Sequence, residues 1–448
     1  MTRLLDHQYE GALAIRSFKG RALLADDMGL GKTLQVLYYL IRSRSFPAVV
    51  VTPASLKLTW EDEASKHFGM SCNVLSGRKP PRANAFSKHT ATGLWVVNYE
   101  VLPYWFDFLS ALQPRAVVVE EGHYIKNRHS QRYKAVKKLA KGVDRVIAVT
   151  GTPLLNNPSE LWATLSVIAP KLFPSFIKYA FQFCKPRRTP WGWQYTGAKN
   201  LPELHRILRE SCMIRRNKAL LNLPPKLRRV VPLEIEDRWE YTQAKNDFLH
   251  WLRKTMPGRV KKAKRSAALV KIGYLLRLTA KLKRHGVTDW IDNFLASTDE
   301  KLVVFSMHTQ MVNMLHRRYR DNSVVVQGGV SMADRKIAVD QFQHQKDVRI
   351  FIGNIRAAGV GITLTAATHC AFTDLPWTPG ELAQGEDRIH RIGQKNTTFI
   401  HYLIARKTIE EDLCARLQEK QAVLEQVLNG ANITDNLDIF NEILRNLK

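Results

Sequence analysis

The chain has 448 residues, 45% of them hydrophobic and 24% charged, which suits two or three domains with real cores and excludes a mainly disordered protein. Its 68 Lys and Arg against 40 Asp and Glu leave a net charge of +28, which predicts a polyanionic partner, nucleic acid before a membrane surface. No apolar run nears the ~18 residues of a membrane span, Met1–His7 has no apolar signal core, and Cys72, Cys184, Cys212, Cys370 and Cys414 form no CxxC pair, so an intracellular protein without disulfide framework or zinc site is expected. In chain order, strands are predicted at Arg21–Ala25, Ala48–Thr52, Leu94–Asn98, Ala116–Glu120 and Val146–Val149. A second series follows at Leu302–Ser306, Ser323–Gln327, Val348–Ile352, His369–Thr373 and Phe399–Ile404. These are near-continuous apolar runs separated by helical patterns, as in parallel sheets covered on both faces. Between the series, about residues 158–296, the chain reads as helical and basic, with Pro-rich joints at Pro186–Pro190 and Leu223-Pro224-Pro225. The reading is therefore α/β, with two lobes and helical insertions between their cores.

The positive charge is localised. Residues 181–230 hold 12 basic and 2 acidic side chains, and residues 251–285 hold 12 basic and none acidic. A solvated helical face is one reading. Concentration into two segments favours a nucleic-acid surface, with Lys261, Lys262, Lys264 and Arg265 as its densest cluster.

Two short motifs carry chemistry. Ala25–Thr33 read ADDMGLGKT, after a predicted strand and before the helical pattern Thr33–Arg44. Backbone N–H groups from Asp27 through Gly29, Leu30 and Gly31 would cradle phosphates at a helix N-terminus. Lys32 would reach the β- and γ-phosphates of ATP, and the Thr33 hydroxyl would ligate Mg²⁺. Asp26 stands where the usual motif has its first glycine. The second motif, Val117–His123, reads VVVEEGH and ends a buried strand on two carboxylates. Glu120 would hold the metal, and Glu121 would orient or deprotonate the attacking water.

With these motifs the chain resembles the motor of the Swi/Snf-type ATPases in helicase superfamily two, and within them the compact annealing-helicase-like branch. The resemblance adds Thr52-Pro53-Ala54-Ser55-Leu56 with Trp60, Thr150-Gly151-Thr152-Pro153, and Arg215-Arg216-Asn217-Lys218 before Leu223-Pro224-Pro225-Lys226. It continues through Ala358-Gly359-Val360-Gly361 and Trp377-Thr378-Pro379 to the run Gln384–Gln394, in order throughout. It implies two RecA-like lobes, each a mostly parallel sheet flanked by helices. The first would span 1–226 with an insertion at 158–222. The second would span 227–448 with a basic insertion at 236–296 and C-terminal helices from about 408. No flanking reader module is expected, since only about 35 residues follow the last match.

The resemblance also implies roles. Gln8 would read adenine. Arg388 and Arg391, three apart on one helical face, would reach the γ-phosphate. Thr150, Gly151, Thr152, Gly359 and Gln384 would couple nucleotide state to DNA. Pro53, Ala54, Ser55, Arg215, Arg216 and Arg356 would contact double-stranded DNA, and Trp377 would stack on it unless it is a core residue. The chain departs from the family at Glu120, where the family has Asp. One added methylene there moves a metal ligand, and catalytic geometry is sensitive to shifts near 1 Å. Three functions follow as expectations: a double-stranded DNA translocase, a strand-separating DNA or RNA helicase, and a hydrolysis-impaired ATP-dependent clamp. It would act in the cytoplasm of a bacterium or of a virus-infected cell, or in a eukaryotic nucleus.

Overall fold

Short β-branched runs bounded by glycine and polar turns form the strands of the computed structural model, which describes residues 3–80, 93–189, 192–248, 250, 267–358 and 361–430. In chain order they are β1 (Arg21–Leu24), β2 (Ala48–Thr52), β3 (Cys72–Val74), β4 (Leu94–Asn98), β5 (Ala116–Glu120), β6 (Arg145–Val149), β7 (Lys185–Thr189), β8 (Gly192–Thr196) and β9 (Met213–Ile214). After them come β10 (Lys226–Leu233), β11 (Leu302–Ser306), β12 (Ser323–Val326), β13 (Ile350–Asn354), β14 (His369–Phe372) and β15 (Thr398–Ala405). Contacts divide the chain after Asn222, with a segment beginning at Lys420 returning to the first unit and Leu223–Glu419 forming the second. The sequence reading set the division after 226 and kept the C-terminal helix wholly in the second lobe. Apolar packing decides otherwise, because Leu424, Val427 and Leu428 are buried in the first unit's core.

The first unit is built on a seven-stranded sheet of order β3-β4-β2-β5-β6-β1-β9, parallel at every pairing. Val49, Val51, Val117 and Val119 are buried on one face and Val50, Val118 and Ile147 on the other, which is why these strands read as unbroken apolar runs. The registers Leu24↔Val149 and Glu120↔Val149 bring the C-terminal ends of β1, β5 and β6 side by side. Ligands bind at such strand ends in open α/β sheets. The helix Lys32–Arg42 leaves from one of them.

The second unit carries a six-stranded parallel sheet of order β10-β15-β14-β11-β13-β12. Its two faces bury Val303, Phe305, Phe351 and Phe372 on one side and Val304, Ile352, Ala371 and Leu403 on the other. Leu413, Cys414 and Leu417 of the helix Ile409–Asn429 join the first of these cores.

Five strands escape the sequence reading. The insertion at 158–222 is not all helical: β7 and β8 form an antiparallel hairpin, and β9 joins the first sheet. Pro186 marks a hairpin edge rather than a joint between helices, since an edge strand tolerates proline. β10 is basic and carries Pro232, which disguises it, but as an edge strand it needs only one apolar face. β3 is too short to show a pattern. Among the described residues no helix is long and apolar enough to cross a membrane.

Candidate nucleotide site

The phosphate loop connects β1 to the helix Lys32–Arg42. Gly31 caps that helix at φ 70° and ψ 40°, a left-handed conformation that favours glycine. A Cβ on Gly31 would stand 2.2 Å from Gln8 Nε2, so the expected adenine reader lies directly over the loop. Gln8 is buried, and its Oε1 accepts from Leu5 N at 3.1 Å, fixing the amide in place. Gly29 also has positive φ, at 86°. Lys32 Nζ donates to Asp26 O at 2.9 Å and Asp27 O at 3.0 Å. Burial lowers its pKa, against the charges of Asp26, Glu121, Glu120 and Asp27. Thr33 follows in the first helical turn.

Asp26 turns out to be the keystone of the loop. It is fully buried, and its carboxylate accepts from Arg216 backbone N at 3.0 Å, Arg216 Nε at 3.2 Å and Gln35 Nε2 at 3.1 Å, with the Arg216 NH2 nitrogen at 2.5 Å. Arg216 also donates to Gln35 Oε1 and to His7 O. Arg215 pairs with Asp27 at 2.6 Å and donates to Ala25 O at 2.8 Å. Arg215 and Arg216, read from sequence as DNA contacts, are therefore committed to the loop. Their side chains are only 8% and 16% exposed. The reason is electrostatic: an aspartate in the first glycine position is buried there and requires a cation. Asp27, expected at ATP, has its carboxylate taken by Arg215 and by Lys218 N at 2.9 Å. Gln35 was missed by the sequence reading, although it lies on the predicted helix and faces the loop.

The carboxylates of β5 differ in environment. Glu120 is buried, and its Oε2 has no hydrogen-bond partner. Burial pushes its carboxyl up to about 8, with help from the adjacent Glu121 charge and against Lys32. Glu121 has φ 51° and turns away from the strand. Its Oε2 accepts from Thr150 Oγ1 at 3.1 Å and lies 3.2 Å from His123 Nδ1. Burial would raise its pKa, but His123, Lys32 and Thr150 hold it below the ordinary value. The two acids are thus pushed apart, one toward its neutral form and one firmly ionised. Thr150 Oγ1 also accepts from Thr152 N at 3.1 Å. Gly151 lies against the loop, where a Cβ would sit 2.6 Å from Met28 and 3.4 Å from Lys32 Nζ. His123, unremarked in the sequence, is a partner of both Glu121 and Thr150. Pro53, Ala54 and Ser55 follow β2 at the same end of the sheet, with Ala54 exposed and Ser55 half-buried.

In the second unit the helix Pro379–Glu386 ends at Asp387, so Arg388 and Arg391 do not lie on one helical face as expected. The chain turns there through bonds such as Arg388 N to Gly385 O at 3.1 Å. The two guanidiniums still converge, donating to the same carbonyl, Ile362 O, at 3.0 Å and 3.2 Å. Arg388 Nε also donates to Gln384 O at 2.9 Å, and Gln384 is buried. Glu386, within the same signature, accepts from Arg228 at 3.0 and 2.7 Å and from Lys226 at 2.8 Å, and it also binds the Tyr402 hydroxyl. Burial alone would raise its pKa, but Arg228 and Lys226 hold the carboxyl far below the usual range. Arg356 is exposed and pairs with Glu381 at 3.1 Å. Trp377 is partly buried against the second core, which favours the core reading over a stacking surface. Gly359, Lys261, Lys262, Lys264 and Arg265 lie outside the described residues.

Known proteins resemble this chain along nearly its whole length. The SNF2-related domain matches residues 12–283, and the helicase conserved C-terminal domain matches residues 286–393. The chain is 33% identical over 456 residues to the SWI/SNF-related matrix-associated actin-dependent regulator of chromatin subfamily A-like protein 1 of Xenopus laevis, covering 98% of this chain and 46% of that protein. It is 32% identical over 448 residues to the DNA annealing helicase and endonuclease ZRANB3 of Homo sapiens, covering 96% of this chain and 40% of that protein. The chain thus spans less than half the length of these relatives. A solved structure, the Sulfolobus solfataricus SWI2/SNF2 ATPase core in complex with dsDNA, matches with a TM-score of 0.43 and 23% identity, over 100% of this chain and 97% of that one. The SNF2-related match alone covers well over half of the sequence, and the chain belongs to the SNF2-related family, the DNA-dependent ATPases of helicase superfamily two.

Proposed function

We propose that the chain is the motor of an ATP-driven double-stranded DNA translocase. The observation that carries this reading is the gathering of Lys32, Glu120, Glu121, Thr150 and Gly151 at neighbouring strand ends of one sheet, with Gln8 over the loop from the helix Asp6–Ser17. Lys32 would exchange its two carbonyl partners for the β- and γ-phosphate oxygens of ATP. The donor set fits Mg²⁺, because the orphaned Glu120 Oε2 and the Thr33 hydroxyl are hard oxygen ligands. Bound there, Mg²⁺ would neutralise charge on the phosphates. Glu121, ionised and aimed by His123 and Thr150, would orient or deprotonate the attacking water. Thr150 would relay the state of Glu121 to the backbone at Thr152, and Gly359 and Gln384 would answer in the second lobe. Arg388 and Arg391 would supply positive charge to the γ-phosphate as it leaves.

The DNA reading rests on the net charge of +28 and on the relatives, whose names refer to chromatin regulation and DNA annealing. The test is ATPase rate with no nucleic acid, single-stranded DNA, duplex DNA and RNA, joined to displacement of a third strand from a triplex. Duplex-stimulated hydrolysis with triplex displacement supports a translocase. Steady unwinding of tailed duplexes would make it a strand-separating helicase instead. A second reading, the hydrolysis-impaired clamp, draws support from Glu120, whose longer side chain is buried with one oxygen unpartnered. ATP-dependent DNA retention without phosphate release would establish it.

A further inference from the structure

Within the run Gln384–Gln394, Arg388 and Arg391 are interleaved with Glu386, Asp387 and His390, all three buried. The two sets meet different partners. Both arginines donate to Ile362 O. Glu386, Asp387 and His390 instead meet Pro224–Arg228, the stretch by which the chain enters the second unit. His390 Nε2 donates to Pro224 O at 2.9 Å. Lys226 Nζ lies 2.8 Å from Glu386 and 3.7 Å from Asp387. Arg228 closes a two-pronged pair on Glu386, and the Tyr402 hydroxyl donates to the same carboxylate. Beside them Pro225 O accepts from Thr398 N at 2.9 Å, which ties the same stretch to the start of β15.

This arrangement answers a mechanical problem. The helix Pro379–Glu386 ends before Arg388, so the turn that carries both guanidiniums is held by irregular bonds rather than by a helical ladder. A turn of that kind needs anchors from outside. The entry stretch is a stiff one, because each proline ring fixes φ near about −65°. The anchors are also hard to break. Glu386 is 2% exposed, and a buried carboxylate held by two cations and a hydroxyl has one geometry that satisfies it. His390, one residue before Arg391 and two after Arg388, supplies the second anchor in the middle of the turn. We propose that His390 and Glu386 are positioning residues for ATP hydrolysis. They fasten the arginine turn to the entry stretch, so that Arg388 and Arg391 hold one geometry relative to the point where the chain enters the second unit. Both act through the arginines. The proposal rests on the reading of Arg388 and Arg391 as the charge supplied to the γ-phosphate, and adds to it the residues that aim them.

The experiment measures kcat, KM, affinity for a fluorescent ATP analogue and Tm in the full chain. His390→Phe keeps a flat ring but loses the donor to Pro224 O. It should lower kcat by about 10- to 100-fold, the range expected when a reacting geometry shifts by near 1 Å, while KM and ATP affinity stay near the parent's. His390→Gln, whose amide can donate from much the same place as Nε2, should restore most of kcat. Glu386→Gln should lower kcat in the same sense, again with ATP affinity kept. In a chain that already carries Arg388→Ala and Arg391→Ala, adding His390→Phe should cost no further turnover, because its effect passes through those side chains. Should His390→Phe fail to fold, His390→Asn carries the same expectation, since its shorter amide cannot reach as far. A merely structural role would lower Tm in His390→Phe and leave kcat unchanged well below Tm; that result, or a full further loss in the double-arginine background, overturns the proposal. The two readings fail separately. Arg388→Ala and Arg391→Ala at the parent's rate would defeat the arginine reading and this proposal with it, whereas slow arginine variants beside a His390→Phe of normal kcat would defeat this proposal alone.

Discussion

Arg216→Ala decides whether the Arg215–Arg216 pair braces the phosphate loop or touches DNA. Asp26 has no solvent exposure, and Arg216 reaches its carboxylate through backbone N, Nε and NH2 at 3.0, 3.2 and 2.5 Å. Truncation removes the side-chain bonds and the only cation paired with Asp26 among the described residues, while the backbone N–H and Gln35 remain. Stranding a buried charge in this way costs about 3–5 kcal/mol. For a domain of the first unit's size, 1 kcal/mol moves Tm by about 2–4 °C, so its unfolding should fall by roughly 6–20 °C. Calorimetry of parent and variant reads this directly. Asp26→Asn in the same chain removes the stranded charge, so the double variant should regain part of the loss, the signature of a coupled pair. Binding of a fluorescent ATP analogue should weaken as well, because Gln35 links Arg216 and Asp26 to Leu30 O within the loop. The rival reading makes the opposite forecast. A Tm that stays put while the salt slope of DNA binding flattens by about 0.9 would refute the brace.

Lys32→Ala should abolish hydrolysis and strongly weaken nucleotide binding, and unchanged ATPase in a pure preparation would remove the site assignment. Arg388→Ala and Arg391→Ala should slow hydrolysis by about 10³–10⁵ while ATP affinity falls far less, as for groups acting on transition-state charge. Equal loss of binding and turnover would contradict that role. Glu120→Asp should raise the DNA-stimulated rate if the longer side chain misplaces the metal; a rate equal to or below the parent's would show a site adapted to Glu120, and the clamp reading would lose its support. Glu386 is held ionised in the folded chain, so its contribution to stability is present above the ordinary carboxylate value of 4.5 and lost as pH falls below it. Acid unfolding of the second unit should therefore be shallower in Glu386→Gln, and an identical pH profile would show that the Lys226–Arg228–Glu386 cluster contributes nothing to the difference.

The parallel strands were legible because burial on both faces forces apolar runs with little polar content: β2, β4, β5 and β11 fall on the predicted boundaries. Strands that escape that rule were not legible. β10 faces a neighbour on one edge only and so tolerates Arg228, Arg229 and Pro232. β7 and β8 pair only with each other, in a surface hairpin whose residues are mostly exposed. At the site, the spacing of Lys32, Thr33, Glu120 and Glu121 could be read because a phosphate loop and a strand-end acid pair are local patterns. The partners of Asp26 could not, since Arg216 lies 190 positions away and meets it only because β9 pairs beside β1. His123 is close in sequence to Glu121, but its contact with Thr150 depends on the β5–β6 pairing.

That long-range pairing changes what the basic residues mean. A count of cations treats every lysine and arginine in residues 181–230 as a candidate for DNA, yet the fold sorts them by what lies opposite. Arg215 and Arg216 face Asp27 and Asp26; Lys226 and Arg228 face Glu386. These four are spent on internal acids, and their removal should register first as lost stability. Among the described residues Lys185, Arg187 and Arg188 form no ion pair, and Arg188 lies across from the exposed Trp193. Net charge therefore overstates the surface left for a polyanion in this segment, and it also misplaces it. Three of the cations without an acid partner among the described residues, Lys185, Arg187 and Arg188, lie on the hairpin that the sequence pattern concealed.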